Sequence, residues 1–226
     1  DWEGGRRTLQ NCRVFGLLDY NHENPEVRET LAEWVQWHVR TFGFDAVRID
    51  AAAHMPKSFL RYIGRLNPPI PAFHEDPSGD SQIQIEYVLN HNEFAAIYNY
   101  PLYYAIRDVF AAGTDGFKKP MSDLARMMGN MDMEGRLLLN FIDNNDIPRF
   151  GRLVDGDTAL YRSALALLTG AEGVPVLLYG SEQDAQLDLG KPQDYVPDQW
   201  RPALWQVGYN TSHLTFTMLR KLLWLR

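Results

Sequence analysis

Arg48, Asp50 and His54 stand at fixed spacing inside the block Gly43-Phe44-Asp45-Ala46-Val47-Arg48-Ile49-Asp50-Ala51-Ala52-Ala53-His54-Met55. A short apolar run from Phe44 to Ile49 carries an arginine near its end and closes on an aspartate. Side chains two apart on an extended strand point the same way, so Arg48 and Asp50 are expected to meet. An arginine in a buried strand is costly unless an opposite charge holds it. A carboxylate kept ionised beside a guanidinium is suited to nucleophilic attack. Taken alone, Asp50 reads equally well as a cap on the following turn. Other acids follow other apolar runs: Glu75 and Asp76 after 70–74, then Asp143 and Asp146 after 137–142.

The elements that must position these groups alternate between helix and strand. Asn24-Pro25-Glu26 combines an N-cap, a first-turn proline and an acid. Val27, Leu31, Trp34, Val35, Val39 and Phe42 then recur at helical spacing, and Gly43 closes the segment. Strands are expected over 44–49, 70–74, 95–99, 137–142 and 174–179. Helices are expected from Pro56 (carrying Phe59, Leu60 and Ile63), from Pro101 towards Ala112, after Ser122, over 158–168 and over 213–226.

None of the five strands shows clean polar and apolar alternation, which points to a parallel α/β sheet. No G-x-G-x-x-G or P-loop follows a strand, against a nucleotide-binding sheet. Acids just past strand ends suit a barrel, whose functional groups come from the C-terminal ends of several strands. A closed eight-stranded barrel takes about 250 residues. Five strands in 226 residues are therefore expected to be the later part of a (β/α)8 barrel.

Composition narrows the partners. Apolar residues make up 45% and charged ones 23%, the balance of a globular protein. With 22 basic against 29 acidic residues the net charge is −7, so no nucleic-acid partner is expected. No apolar run reaches the length of a membrane span and no signal peptide opens the chain, so no membrane partner is expected. The lone Cys12 reads either as a small buried apolar residue or as half of a disulfide whose partner lies upstream. Asn210-Thr211-Ser212 matches a glycosylation acceptor. The six histidines lack zinc-ligand spacing, and no serine sits in a nucleophile elbow.

The block over 43–55 resembles the nucleophile motif of the α-amylase family of glycoside hydrolases, roughly G-x-R-x-D-x-x-x-H. Phe141-Ile142-Asp143-Asn144-Asn145-Asp146-Ile147-Pro148-Arg149-Phe150 is similar to the family's F-x-[DE]-N-H-D-x-P-R-F block. Gly16-Leu17-Leu18-Asp19-Tyr20-Asn21 looks like its segment ending in a calcium-ligating aspartate, 31 residues before Asp50. The stretches 98–104 and 173–183 read as later strands of such enzymes. The block D-x-x-x-N-H of an earlier strand is absent. The resemblance places residues 1–22 at the end of a domain inserted between strand 3 and helix 3. It makes 23–226 a partial catalytic barrel.

The resemblance implies retaining endo-hydrolysis of α-1,4-glucosidic bonds in starch or glycogen-type glucans. Asp50 would be the nucleophile, Glu75 the proton donor, and Asp146 the acid that grips sugar hydroxyls. Arg48, His54 and Asn145 would line the substrate site. Asp19 and the backbone oxygen of His54 would help hold calcium; chloride is left open by the same motifs. Three departures stand out: His74 and Asp76 flank Glu75 where the family has glycine and a small apolar residue, Asn145 replaces a histidine, and Ala53 replaces a frequent lysine. Tyrosines and tryptophans serve either as core or as platforms for sugar rings. Glu182 is expected to orient a loop lining the cleft. The whole enzyme is expected to be a secreted monomer acting on α-glucan. The alternatives are a related transglycosylase, an oligosaccharide-acting α-glucosidase, and a glucan-binding homologue without catalysis.

Overall fold

Asn24, Pro25 and Gly43 delimit the first helix, α1 (Pro25–Phe42), as their types predict. The Asn24 side chain accepts from the Glu26 N–H at 3.0 Å, satisfying a donor that the first turn leaves open. Gly43 ends the helix at φ +69°, a left-handed conformation that costs glycine least, and its N–H donates to the Val39 carbonyl at 2.9 Å. The structure, a computed structural model, describes residues 8–13, 16–66, 68–80, 96–111, 137–185, 201 and 203–226. The helix expected after Ser122 lies outside the described residues.

The chain divides into two compact units, which meet in sequence at Tyr98–Asn99 and again at Leu137–Leu138. In the first, α1 is followed by β1 (Val47–Ile49), α2 (Lys57–Gly64), β2 (Ala72–His74) and β3 (Ala96–Tyr98). These strands pair in parallel and in order. Val47, Arg48 and Ile49 stand beside Ala72, Phe73 and His74, while Phe73 and His74 stand beside Ala96 and Ile97. Ala32 of α1 is buried with Phe59 and Ile63 of α2, and Leu31, Ile49, Met55 and Leu66 pack against them.

The second unit holds α3 (Tyr100–Ala111), most of β4 (Leu137–Asn140), α4 (Phe150–Leu153), α5 (Thr158–Gly170), β5 (Val174–Pro175) and α6 (Leu214–Leu225). β4 and β5 pair in parallel, Leu139 beside Val174. Its core joins Leu102, Ile106 and Val109 of α3 to Phe150, Val154, Tyr161, Leu165 and Leu168, with Leu219 of α6. Helix α5 starts on Asp157, whose side chain accepts from Ala159 N and Leu160 N at 2.8 and 3.0 Å. Gly173 is required by close approach: a Cβ there would lie 2.7 Å from the Leu138 carbonyl.

One expectation is corrected by this arrangement. Arg48 was expected in a buried strand, but its side chain is 34% exposed at a position flanked by half-buried Val47 and Ile49. The apolar stripe of α1 is only in part a core face. Trp34 and Phe42 are 60% and 57% exposed and stand with Trp37, His38 and Phe44 in a run of ring contacts at 4.3–5.8 Å. Leu31 and Ala32 turn instead to α2, because a helix beside a sheet gives the core a single stripe.

Candidate active site

The parallel register of β1 and β2 brings three charged groups of the first unit together. Arg48, on β1, donates from Nη1 to Asp50 Oδ1 and from Nη2 to Glu75 Oε2 at 2.8 Å. Ile49 lies beside His74, so the next residue of each chain leaves its strand at the same level. Glu75 N donates to the Ile49 carbonyl at 3.1 Å, which carries the ladder one step past the strand end. Asp50 and Glu75 then present carboxyl oxygens within 4.8 Å of each other. Ala51 adds a backbone contact. It holds φ +49°, and its N–H donates to Glu75 Oε2 at 3.4 Å.

The two carboxyls differ in environment. Glu75 is buried, as are His74 and Asp76, whereas the Asp50 side chain is 68% exposed. Partial burial pushes the Asp50 carboxyl up, but hydrogen bonding with Glu75 and Arg48 and the guanidinium charge more than reverse it. The net direction is below the usual carboxylate value. For Arg48, desolvation pulls the guanidinium down, and the charges of Glu75 and Asp50 carry it above its ordinary value. Its guanidinium carbon also stands 5.5 Å from the Tyr98 ring centroid. An exposed acid and a buried acid with a cation between them can divide the work of attacking an electrophilic carbon and protonating a leaving oxygen.

The remaining residues singled out by the sequence are held by contacts of their own. His54 closes a short 3-10 turn over Ala52–His54, and its Nδ1 lies 3.2 Å from the Leu9 carbonyl oxygen. Ala53, where a lysine is frequent, is buried. In the second unit, Asp146 sits on the loop after β4, its N–H donating to Asn144 Oδ1 at 2.7 Å. Arg201 donates to Asp146 Oδ1 at 3.0 Å and to the Asn145 carbonyl at 2.9 Å. Beneath that loop Asp143 is buried and accepts from Phe150 N and Ser181 Oγ, both at 3.2 Å. Burial drives the Asp143 carboxyl up; the Arg149 charge and the two hydrogen bonds reverse part of that rise. Ser181, next to the Glu182 that the sequence singles out, is the residue that joins Asp143 to Arg149.

Asp19 is exposed, on the loop before α1. Its carboxylate is a hard oxygen donor of the kind calcium takes, and the His54 carbonyl is another. Together they offer two of the six to eight oxygens such an ion needs. Among the described residues, Asp19 belongs to no cluster of three or more acidic, histidine or cysteine side chains.

No protein-family model matches the chain. It is 32% identical to an uncharacterised glycosyl hydrolase of Schizosaccharomyces pombe over 214 residues, which are 94% of this chain and 41% of that protein. The structure is similar to that of an α-amylase from Geobacillus thermoleovorans complexed with acarbose, with a TM-score of 0.80 and 26% identity. That likeness covers 100% of this chain and 49% of the other. The chain belongs to the α-amylase family of glycoside hydrolases.

Its five parallel strands and intervening helices are accordingly part of the family's (β/α)8 barrel. The chain spans about two fifths of the length of the glycosyl hydrolase it matches. A cyclomaltodextrin glucanotransferase of Bacillus sp. is also 32% identical, over 178 residues covering 75% of this chain and 24% of that enzyme. Arg201 had no place in the sequence expectations, and Tyr98 stood there only within the stretch 98–104. Tyr98 ends the strand next to β2 and was findable by position; Arg201 lies 55 residues beyond Asp146 and no local pattern links the two.

Proposed function

We propose that the whole protein hydrolyses internal α-1,4-glucosidic bonds of starch or glycogen-type glucans with retention of anomeric configuration. The observation that carries this reading is the Asp50–Arg48–Glu75 cluster at adjacent strand ends. One oxygen of each carboxyl lies within 4.8 Å of one of the other's, a closeness that favours direct attack over a water held between the two groups. Retaining glycosidases hold their two carboxyls about 5–5.5 Å apart, whereas inverting ones leave room for a water at about 6.5–9.5 Å. Glu75 protonates the glycosidic oxygen as Asp50 attacks the anomeric carbon and forms a glycosyl ester. Glu75, now a carboxylate, takes a proton from water, which displaces Asp50 and restores both groups. Arg48 keeps Asp50 ionised between turnovers. Asp146, Asn145 and His54 are the residues to which the family motifs assign sugar contacts.

Calcium belongs to the same reading as a structural ion, with Asp19 and the His54 carbonyl among its oxygens. A polymeric substrate goes with an extracellular, monomeric enzyme. Asp50→Asn tests the core of the proposal: the complete protein should lose maltooligosaccharide turnover by a factor on the order of 10³ or more. Turnover near the parent rate would reject Asp50 as nucleophile.

Transfer in place of hydrolysis is the second reading, favoured by the similarity to the glucanotransferase. A glycosyl ester on Asp50 can be opened by a sugar hydroxyl as well as by water. Products longer than the maltooligosaccharide supplied would establish transfer; products only shorter than it would exclude it.

A further inference from the structure

We infer that Arg201 is the positioning residue for Asp146, acting through a fork that grips two successive residues of the loop after β4. The inference rests on the reading of Asp146 as a sugar-gripping acid. The loop's backbone is fixed from below. Phe150 N donates to Asp143 Oδ2 at 3.2 Å across its base, and Asp146 N donates to Asn144 Oδ1 at 2.7 Å near its apex. Asn144 is tied in turn through its Nδ2 to the Tyr100 hydroxyl at 3.0 Å. These contacts set where the Asp146 Cα lies and leave the rotation of its side chain, 47% exposed, undetermined.

Arg201 supplies that missing constraint. Its Nε donates to the Asn145 carbonyl at 2.9 Å while Nη2 donates to Asp146 Oδ1 at 3.0 Å. A planar guanidinium bonded at two points cannot swing about one of them, so the plane of the Asp146 carboxylate is set relative to its own backbone. One carboxylate oxygen is committed to the arginine and the other is left for a hydroxyl of the substrate. An acid that must meet a distorted sugar ring gains rate from such orientation, since a misplacement of about 1 Å can cost a hundredfold.

The complete protein and its variants Arg201→Gln, Arg201→Lys, Asp146→Asn and the Arg201→Gln/Asp146→Asn double variant provide the test. The readouts are kcat and KM on a maltooligosaccharide, affinity for acarbose by calorimetry, and melting temperature. Arg201→Gln should lower kcat on the order of tenfold with KM and melting temperature close to the parent's. Arg201→Lys, which keeps the charge without the fork, should stay near Arg201→Gln. In the Asp146→Asn background the Arg201 change should cost no further acarbose affinity. Parent-like kcat in Arg201→Gln, a rise in KM alone, full recovery with lysine, or an additive loss in the double variant would each overturn the positioning role. A fully active Asp146→Asn would instead remove the reading of Asp146, and the proposal with it.

Discussion

Arg48 touches both acids of the candidate pair, and its hydrogen bond and its charge both favour the ionised form of Asp50. Partial burial alone would raise the Asp50 carboxyl; hydrogen bonding with Glu75 and Arg48 and the arginine charge carry it below the usual 3.8. A nucleophile must be ionised, so the acid limb of kcat/KM should fall below that value in the parent. Arg48→Met keeps much of the stem and removes the charge. It should move the limb upward by about 1 pH unit or more, read from the pH profile of kcat/KM on a soluble maltooligosaccharide. An unmoved limb, or one displaced to lower pH, would show that Arg48 does not govern Asp50. This part of the site was legible in the sequence, because period-two alternation on a strand fixes Arg48 and Asp50 to one side. Glu75 was legible only through the family pattern, and its altered neighbours His74 and Asp76 turn out to be buried beside it.

At the scale of elements, the loop after β4 hangs on a buried polar link. Arg149 is 0% exposed and donates to Ser181 Oγ at 3.2 Å and to the Tyr179 carbonyl at 2.8 Å; Ser181 in turn donates to Asp143. The Tyr161 hydroxyl of α5 donates to the Ser181 carbonyl at 2.8 Å, which ties the link to the helix layer. Removing the acid takes away a negative charge that offsets a buried guanidinium. Asp143→Ala should therefore destabilise the fold by about 3–5 kcal/mol, measured by chemical denaturation. A loss below about 0.5 kcal/mol would mean that the arginine is satisfied without it. Helix ends were easier to read than strand lengths. Asn24 and Gly43 act locally and bound α1 as expected, whereas the strands expected over 44–49 and 174–179 pair only over Val47–Ile49 and Val174–Pro175. Pairing depends on a neighbouring strand, which composition does not register. Arg201 and Ser181 escaped the sequence for the same reason, since their partners lie 55 and 38 residues away.

For the whole molecule, metal content is the property most open to direct test. If calcium is structural, chelation with EGTA should lower the melting temperature of the complete protein by about 5 °C. Asp19→Asn should melt lower without chelator and respond less to it. An unchanged melting temperature in EGTA would remove calcium from the reading. The α/β class and parallel order were legible because no strand alternates cleanly. The exposed rings of α1 were not, since helical spacing alone does not distinguish a core stripe from a surface one.

The central claim is that Asp50 becomes bonded to sugar while Glu75 handles the proton. Glu75→Gln, incubated with an α-maltosyl fluoride whose leaving group needs no acid, isolates that step for mass spectrometry. The expected result is a maltosyl adduct on the peptide that contains Asp50, long-lived because no base remains to activate water. Rapid turnover with no adduct, or an adduct carried by another residue, would contradict it.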